Sequence, residues 1–340
     1  MGISMTKRIE FADLAKGICI MLVVLLHVFG DMSGVVIKIM NLFRMPLYFV
    51  LSGLFFKTYD GFIPFIKKKT NKLLIPFFFV FIFVVLPTTI LLDLKTNTEI
   101  SWGSVLLDDN GKLNLGIDGT MWFLLCLFFT NIFFYLIFLL SRRNLIAIVL
   151  FSCLCGIAGY MLNVYNQFLL VWSDSALTAM PFFTLGYVLR KHTSVLNENF
   201  SRKDFFFFIS SLGMLLLVFH VNEQLGTDVI GFARNEYNVH ILLLYLGGTA
   251  GTLCVFMFSK YFGHLPIISY IGRYSIVVLL THLLFLFVIR NLLYQAGIDQ
   301  SERIDINIAV FILIILLMLP TIKFCVKYLP YCFAQKDLWK

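Results

Sequence analysis

The sequence predicts an all-α, polytopic membrane helix bundle of about ten transmembrane helices, with both termini cytoplasmic. Three observations carry that prediction. Of 340 residues, 60% are hydrophobic and only 14% charged, and the mean hydropathy is +0.90, which leaves too little charge to cover a water-facing surface. Apolar runs of about 18 or more residues recur along the whole chain, each long enough to cross a hydrocarbon core of about 30 Å as a helix. Basic residues fall between these runs in alternate loops, and acidic residues fill the others.

The expected spans are 11–30, 35–56, 73–92, 121–140, 145–163, 174–190, 204–220, 239–259, 268–293 and 307–325, within one membrane domain, 1–340. The first follows Lys7 and Arg8 and holds Asp13 and Lys16 with no small-residue cleavage site after it, so it reads as a membrane helix and not as a cleaved signal. The second contains Arg44 and Pro46 and closes on Ser52-Gly53, a pair that lets another helix approach closely. The third follows the basic run Lys67-Lys68-Lys69-Thr70-Asn71-Lys72. The fourth opens on Trp122-Phe123-Leu124, which by composition is an interfacial aromatic belt. Arg142 and Arg143 precede the fifth; the polar start Ser173-Asp174-Ser175 and Pro181 make the sixth short or kinked. Arg202 and Lys203 lead into the seventh, Lys260 follows the eighth, Ser275 and His282 lie in the ninth, and Lys327, Lys336 and Lys340 follow the tenth.

Laid out in this way, the basic clusters, including Lys57, Arg190, Lys191 and Lys323, share the side that the positive-inside rule assigns to the cytoplasm. Asp31, Asp93, Glu99, Asp108, Asp118, Asp174, Glu223, Asp228, Glu236, Asp299 and Asp305 fall on the other. The formal net charge of +8 therefore faces lipid headgroups, and no nucleic-acid partner is expected. The longest outer stretch, about 93–120, carries the turn signals Asp109-Asn110-Gly111 and Gly116-Ile117-Asp118-Gly119 and is expected to fold over a site opening. No internal repeat is visible. The seven cysteines lie mostly within apolar runs, without metal-ligand spacing, and read as packing residues. Neither a metal nor a tightly bound cofactor is expected.

A charged side chain at the centre of a bilayer costs about 2.5–3.5 kcal/mol on insertion scales, so an intramembrane ionisable group is by default a functional candidate with a partner. Asp13, Lys16, His27, Arg44 and His282 qualify. Lys16 and His27 stand eleven residues apart, which returns to within about 20° of one direction and rises about 16 Å. One wall of the first helix thus presents a cation low and an imidazole high, with Asp13 placed to pair with Lys16. Ser275 and His282, seven residues apart, also face one way. Lys69 and Lys72 share a face and suit phosphate capture. Blander readings stand beside these: Lys16 snorkels to the interface, Arg44 pairs with Asp31, the lysine run anchors anionic lipid, and His282 is a satisfied core residue.

Taken together, these residues resemble the acyltransferase 3 family, in particular its fucose 4-O-acetylase-like branch of polysaccharide O-acetyltransferases. The similarity rests on Lys16, ten intervening residues and His27; on Met45-Pro46-Leu47-Tyr48-Phe49 ending in Ser52-Gly53; on Lys69-Thr70-Asn71-Lys72; on Trp122 to Leu124; and on Gly272, Ser275 and His282. Lysines stand where many members have arginine, and Arg44 where this branch often has histidine. Lysine keeps the charge but lacks the bidentate fork.

The resemblance implies transfer of an acyl group, expected to be acetyl, from cytoplasmic acyl-CoA to a hydroxyl of a cell-surface or lipid-linked carbohydrate. It implies a multi-pass protein of the bacterial inner membrane, and a homo-oligomer is compatible with it. His27 and Arg44 are the expected catalytic residues, His27 as general base or acyl carrier. Lys16, Lys69 and Lys72 would hold the donor; Asp13, Ser52, Trp122, Ser275 and His282 would support the site or bind the acceptor. The alternative function is a transporter or flippase exporting a polysaccharide or lipid-linked sugar, since intramembrane charges also mark substrate pathways.

Overall fold

A computed structural model of the chain describes residues 9–30, 34–96, 102–107, 112–191, 199–227, 230–298 and 303–339. The expectations that touch Lys7, Arg8, Asp31, Glu99, Asp108, the Asp109-Asn110-Gly111 turn, Asp228, Asp299 and Lys340 lie outside those residues. The described chain is a bundle of apolar helices. α1 (Glu10–Phe29) and α2 (Val35–Leu54) form the first pair. The third crossing is α3 (Phe62–Lys69), a π turn over Thr70–Leu74, α4 (Ile75–Val80), a second π turn over Phe81–Val85, and α5 (Leu86–Thr96). A short α6 (Trp102–Leu106) leads towards α7 (Trp122–Leu140), followed by α8 (Leu145–Val164), α9 (Ser173–Lys191) and α10 (Arg202–Leu225). A two-residue hairpin, β1 (Ile230–Gly231) with β2 (Glu236–Tyr237), precedes α11 (Ile241–Phe262), α12 (Pro266–Arg273), α13 (Ser275–Gln295) and α14 (Ile304–Tyr328).

Among the described residues, nine segments are long and apolar enough to cross a membrane. The remaining expected span, 174–190, is α9, a helix of 19 residues, about 28 Å at 1.5 Å per residue. It is less apolar because it packs on α2, α7 and α8. Its surface meets protein, so composition need not match lipid. Its Asp174 is buried and paired with Lys112 at 3.2 Å.

Two expected boundaries are corrected. The third span begins at Phe62 instead of residue 73, so the lysine run, expected just before the span, lies within its first turns. The turn holds because the segment after α14 folds back on it: Asn71 Nδ2 donates to Trp339 O (2.7 Å), and Asn71 Oδ1 accepts from the backbone N–H groups of Leu338 and Trp339 (2.8 Å each). Lys68 pairs with Asp337 at 2.5 Å, and Lys72 donates to Ala334 O. The chain's C-terminal segment thus lies on the same face as the lysine run, as an even number of crossings requires. The ninth span is broken at Tyr274, whose φ of −115° and ψ of 29° are not helical. The break frees α12 to lie against α1. There a Cβ on Gly272 would strike Asp13 O, and one on Gly17 would strike Ile268 O, so two glycines set the approach. Gly53 meets Phe183 O of α9 in the same way, as the Ser52-Gly53 pair led one to expect.

On the opposite face the connections form a polar cap. Asn235 Nδ2 donates to Gly159 O (2.9 Å), Trp172 Nε1 to Ala233 O (2.7 Å), and Asn163 Nδ2 to Tyr237 O (3.0 Å). These bonds satisfy loop backbone groups that would otherwise be stranded against the bundle. The turn at Gly116, φ +49°, is the one its sequence signalled.

Candidate active site

A cavity of about 480 Å³ opens between α1, α2, the first π turn, α7, α12 and α13. Its lining includes Lys16, Lys69, Lys72 and Arg273 and, among the described residues, no carboxylate. The Lys16 ammonium lies 4.6 Å over the Phe55 ring and that of Lys69 lies 5.5 Å over Phe65. Lys72 also reaches Asp337 at 3.7 Å. A pocket so lined attracts anions, and its low-dielectric walls strengthen the attraction. Lys69 closes α3 and Lys72 lies in the π turn, a winding frequent at functional sites, and both line the same cavity.

Above the cations the wall becomes neutral. Ser52 Oγ donates to Tyr48 O (2.8 Å), and Tyr48, Ser275, Phe123, Leu124, Leu127 and Asn131 complete the lining with Leu279. Tyr48 is four residues from Arg44 on α2, and Leu279 three from His282 on α13. The cavity therefore ends about one helical turn, 5.4 Å, from Arg44 and His282.

At that level two imidazoles face each other: the ring centroids of His27 and His282 are 5.5 Å apart. His282 is 0% exposed, and its Nδ1 lies 2.7 Å from Val278 O. A carbonyl only accepts, so Nδ1 carries the proton and Nε2 the lone pair. That Nε2 is buried with no partner among the described residues, as are Nε and Nη1 of Arg44. Arg44 and Arg290 are within electrostatic reach of the His27 ring. Arg290 Nη2 also donates to His27 O (3.2 Å) and Val28 O (3.0 Å), closing the last turn of α1. Cys19 Sγ donates to Arg44 O at 3.0 Å and ties α1 to α2.

The expected residues thus fall into two levels. Lys16, Lys69, Lys72, Ser52 and Ser275 line the cavity; His27, Arg44 and His282 meet beyond it. α1 and α13 each contribute to both, Lys16 with His27 and Ser275 with His282. Asp13 does not line the cavity; its carbonyl marks the α1–α12 crossing. Trp122 departs from the aromatic-belt expectation: it is 8% exposed, packed edge-on against Phe123, because α7 lies inside the bundle and not at its lipid surface. Its neighbours Phe123 and Leu124 are the members of that motif that line the cavity.

Three residues were given no site role by the sequence: Arg273 and Asn131, which line the cavity, and Asp118, linked through Thr120 to the lining residue Leu279. Arg273 fell inside the expected ninth span and was given no role; it closes α12, just before the break, and lines the cavity. Asn131 carries no charge to draw attention inside an apolar run. Asp118, just before α7, is 0% exposed. Thr120 Oγ1 lies 2.6 Å from Asp118 Oδ1 and 2.9 Å from Leu279 O, and one hydroxyl proton cannot serve both acceptors fully. Burial lifts this carboxyl from 3.8 to about 6, against the opposing hydrogen bonds from Thr120. Among the described residues no cluster of His, Cys, Asp and Glu is arranged to hold a metal, and all seven cysteines are free.

Residues 9–323 match the profile of the acyltransferase 3 family, described as an acyltransferase domain. Comparisons with curated proteins and with solved structures return no match.

Proposed function

We propose, from the premise that this chain belongs to the acyltransferase 3 family, that it is a membrane O-acyltransferase that moves an acetyl group from acyl-CoA to a hydroxyl of a cell-surface or lipid-linked carbohydrate. The observation that carries this reading is the continuity from a cavity with four cations to a facing pair of imidazoles. Lys69, Lys72, Arg273 and Lys16 offer charge to the donor's phosphates at the face assigned to the cytoplasm. The donor's arm follows the neutral wall upward, which brings its thioester towards His27.

In the reaction, His27 takes the proton of the acceptor hydroxyl as the oxygen attacks the thioester carbonyl. The C–O bond forms, the C–S bond breaks, and the thiolate leaves with a proton returned from the imidazolium. Arg44, with two buried donor atoms unengaged, is suited to the developing oxyanion. The lone pair on His282 Nε2 is suited to orient His27, and the buried Asp118 stands at the outer side, where a carbohydrate would arrive. The multi-pass architecture fits residence in a bacterial inner membrane, with surface glycan as the product.

The test is acyl transfer from labelled acetyl-CoA in membranes carrying wild-type or His27→Ala protein, read as O-acetyl groups on the glycan by NMR. The variant should lose about 10²–10⁴ of the rate. Full transfer by the variant would remove His27 from the mechanism, and glycans unchanged between wild-type and deletion cells would turn the reading towards an exporter.

A further inference from the structure

Two polar atoms in the cavity wall have no hydrogen-bond partner among the described residues. Asn131, 1% exposed, uses Nδ2 to donate to Leu127 O at 2.7 Å, which leaves Oδ1 buried without a partner. Tyr48, 9% exposed, has its ring against Phe123 at 5.2 Å and its hydroxyl buried without a hydrogen bond. Ser275 stands beside that hydroxyl and interacts with it, but among the described residues no partner meets hydrogen-bond geometry. Both residues line the cavity between the cations and the imidazole pair. Stranded polar atoms are uncommon in folded proteins, and each asks for an explanation.

The two atoms differ in what they seek. Asn131 Oδ1 only accepts, because Nδ2 is fixed by Leu127 O, while Tyr48 Oη has a proton to give. One unengaged acceptor and one unengaged donor, on a wall whose other neutral polar side chains are Ser52 and Ser275, are complementary to an amide, which carries one N–H and one carbonyl. A simple acyl chain offers neither, and a sugar would call for more than two polar groups. Asn131 lies eight residues inward of Phe123 along α7, about 12 Å, so a chain entering at the cations passes Asn131 before Tyr48.

We infer that Asn131 and Tyr48 read the amide groups of the donor's pantetheine arm, Asn131 accepting from an amide N–H and Tyr48 donating to a carbonyl. The inference rests on the acyl-CoA reading of the same cavity and deepens it. It makes both side chains specificity-determining for the donor, with no part in proton transfer. A site built around such bonds rejects an analogue that lacks them, since its own polar groups are then left unpaired.

The experiment pairs two donors with three proteins. Acetyl-CoA is compared with an analogue in which the pantetheine amides are replaced by esters, which keep the carbonyls and remove the N–H groups. Wild type, Asn131→Leu and Tyr48→Phe are measured for donor Kd, donor KM and kcat, with thermal melting in detergent as the folding check. Wild type should bind the ester analogue about tenfold more weakly than acetyl-CoA. Asn131→Leu should bind both donors alike, at the weaker level. Tyr48→Phe should raise KM for both by a similar factor, keep the preference for the amide, and leave kcat within about twofold. If wild type binds acetyl-CoA but Asn131→Leu discriminates as wild type does, or if Tyr48→Phe lowers kcat with KM unchanged, the inference is overturned and the acyl-CoA reading survives. If wild type does not bind acetyl-CoA, both fall.

Discussion

Replacing Gly272 by alanine strikes the joint on which the cavity floor depends. The added methyl would meet Asp13 O and the backbone of Gly17, with Gly17 Cα only 2.8 Å away. Ordinary carbon contacts need about 3.5–4.0 Å and Asp13 O is nearer than Gly17 Cα, so α12 must retreat from α1 by more than about 1 Å. The obstructing atoms are backbone, and no rotamer change can relieve them. Overpacking of this kind costs about 1–3 kcal/mol, offset in part by the roughly 1 kcal/mol that alanine gains over glycine inside a helix. Because α12 ends in Arg273 and α1 carries Lys16, the same retreat widens the cationic end of the cavity, and a 1 Å misplacement is worth up to about 10² in rate. Thermal melting in detergent and the donor KM are the readouts. Gly272→Ala should lower the melting temperature and raise KM, and the double variant with Gly17→Ala should lose less than the two single losses added, since one retreat relieves both clashes. Gly213, with nothing within 4 Å of its Cβ position, is the control, and alanine there should be harmless. Wild-type stability and KM in Gly272→Ala would refute the close crossing.

Two further outcomes follow from other parts of the molecule. Asp118 titrates near 6 in the fold against 3.8 ordinarily, so the fold holds the extra proton: stability is greatest below about pH 4 and declines by up to roughly 3 kcal/mol as the pH rises towards 6. Asp118→Asn should flatten that decline in melting curves taken from pH 4 to 7.5, and an unchanged slope would show that the carboxyl is not held in this way. Asn71→Ala removes three hydrogen bonds to the C-terminal segment, each worth about 1 kcal/mol, and should make trypsin cut at Lys336 much faster; equal rates would mean that Asn71 does not hold the segment.

The helical periodicity made part of the site readable. Lys16 with His27, and Ser275 with His282, were visible because residues eleven and seven apart on a helix return to one face. Nothing in a sequence orders helices in space, so the meeting of His27 with His282, and the reach of Arg44 to His27, had to come from the fold. The lysine run was placed outside the third span because its charges are costly in a helix entering a membrane. The partners that permit it, Asp337 and the backbone at Ala334, lie more than 260 residues further along. The break at Tyr274 was illegible for a similar reason: no proline interrupts the run after Pro266, and the glycine contact that makes the break useful belongs to α1. Trp122 misled because buried and interfacial tryptophans at a helix start are the same letters.

A map of the protein with a non-hydrolysable acyl-CoA analogue bound would show where the donor lies. Phosphate density is expected among Lys16, Lys69, Lys72 and Arg273, with an arm passing Asn131 and Tyr48 and a carbonyl within reach of His27. Density for the donor on the opposite face, or along the lipid surface of the bundle, would contradict that placement.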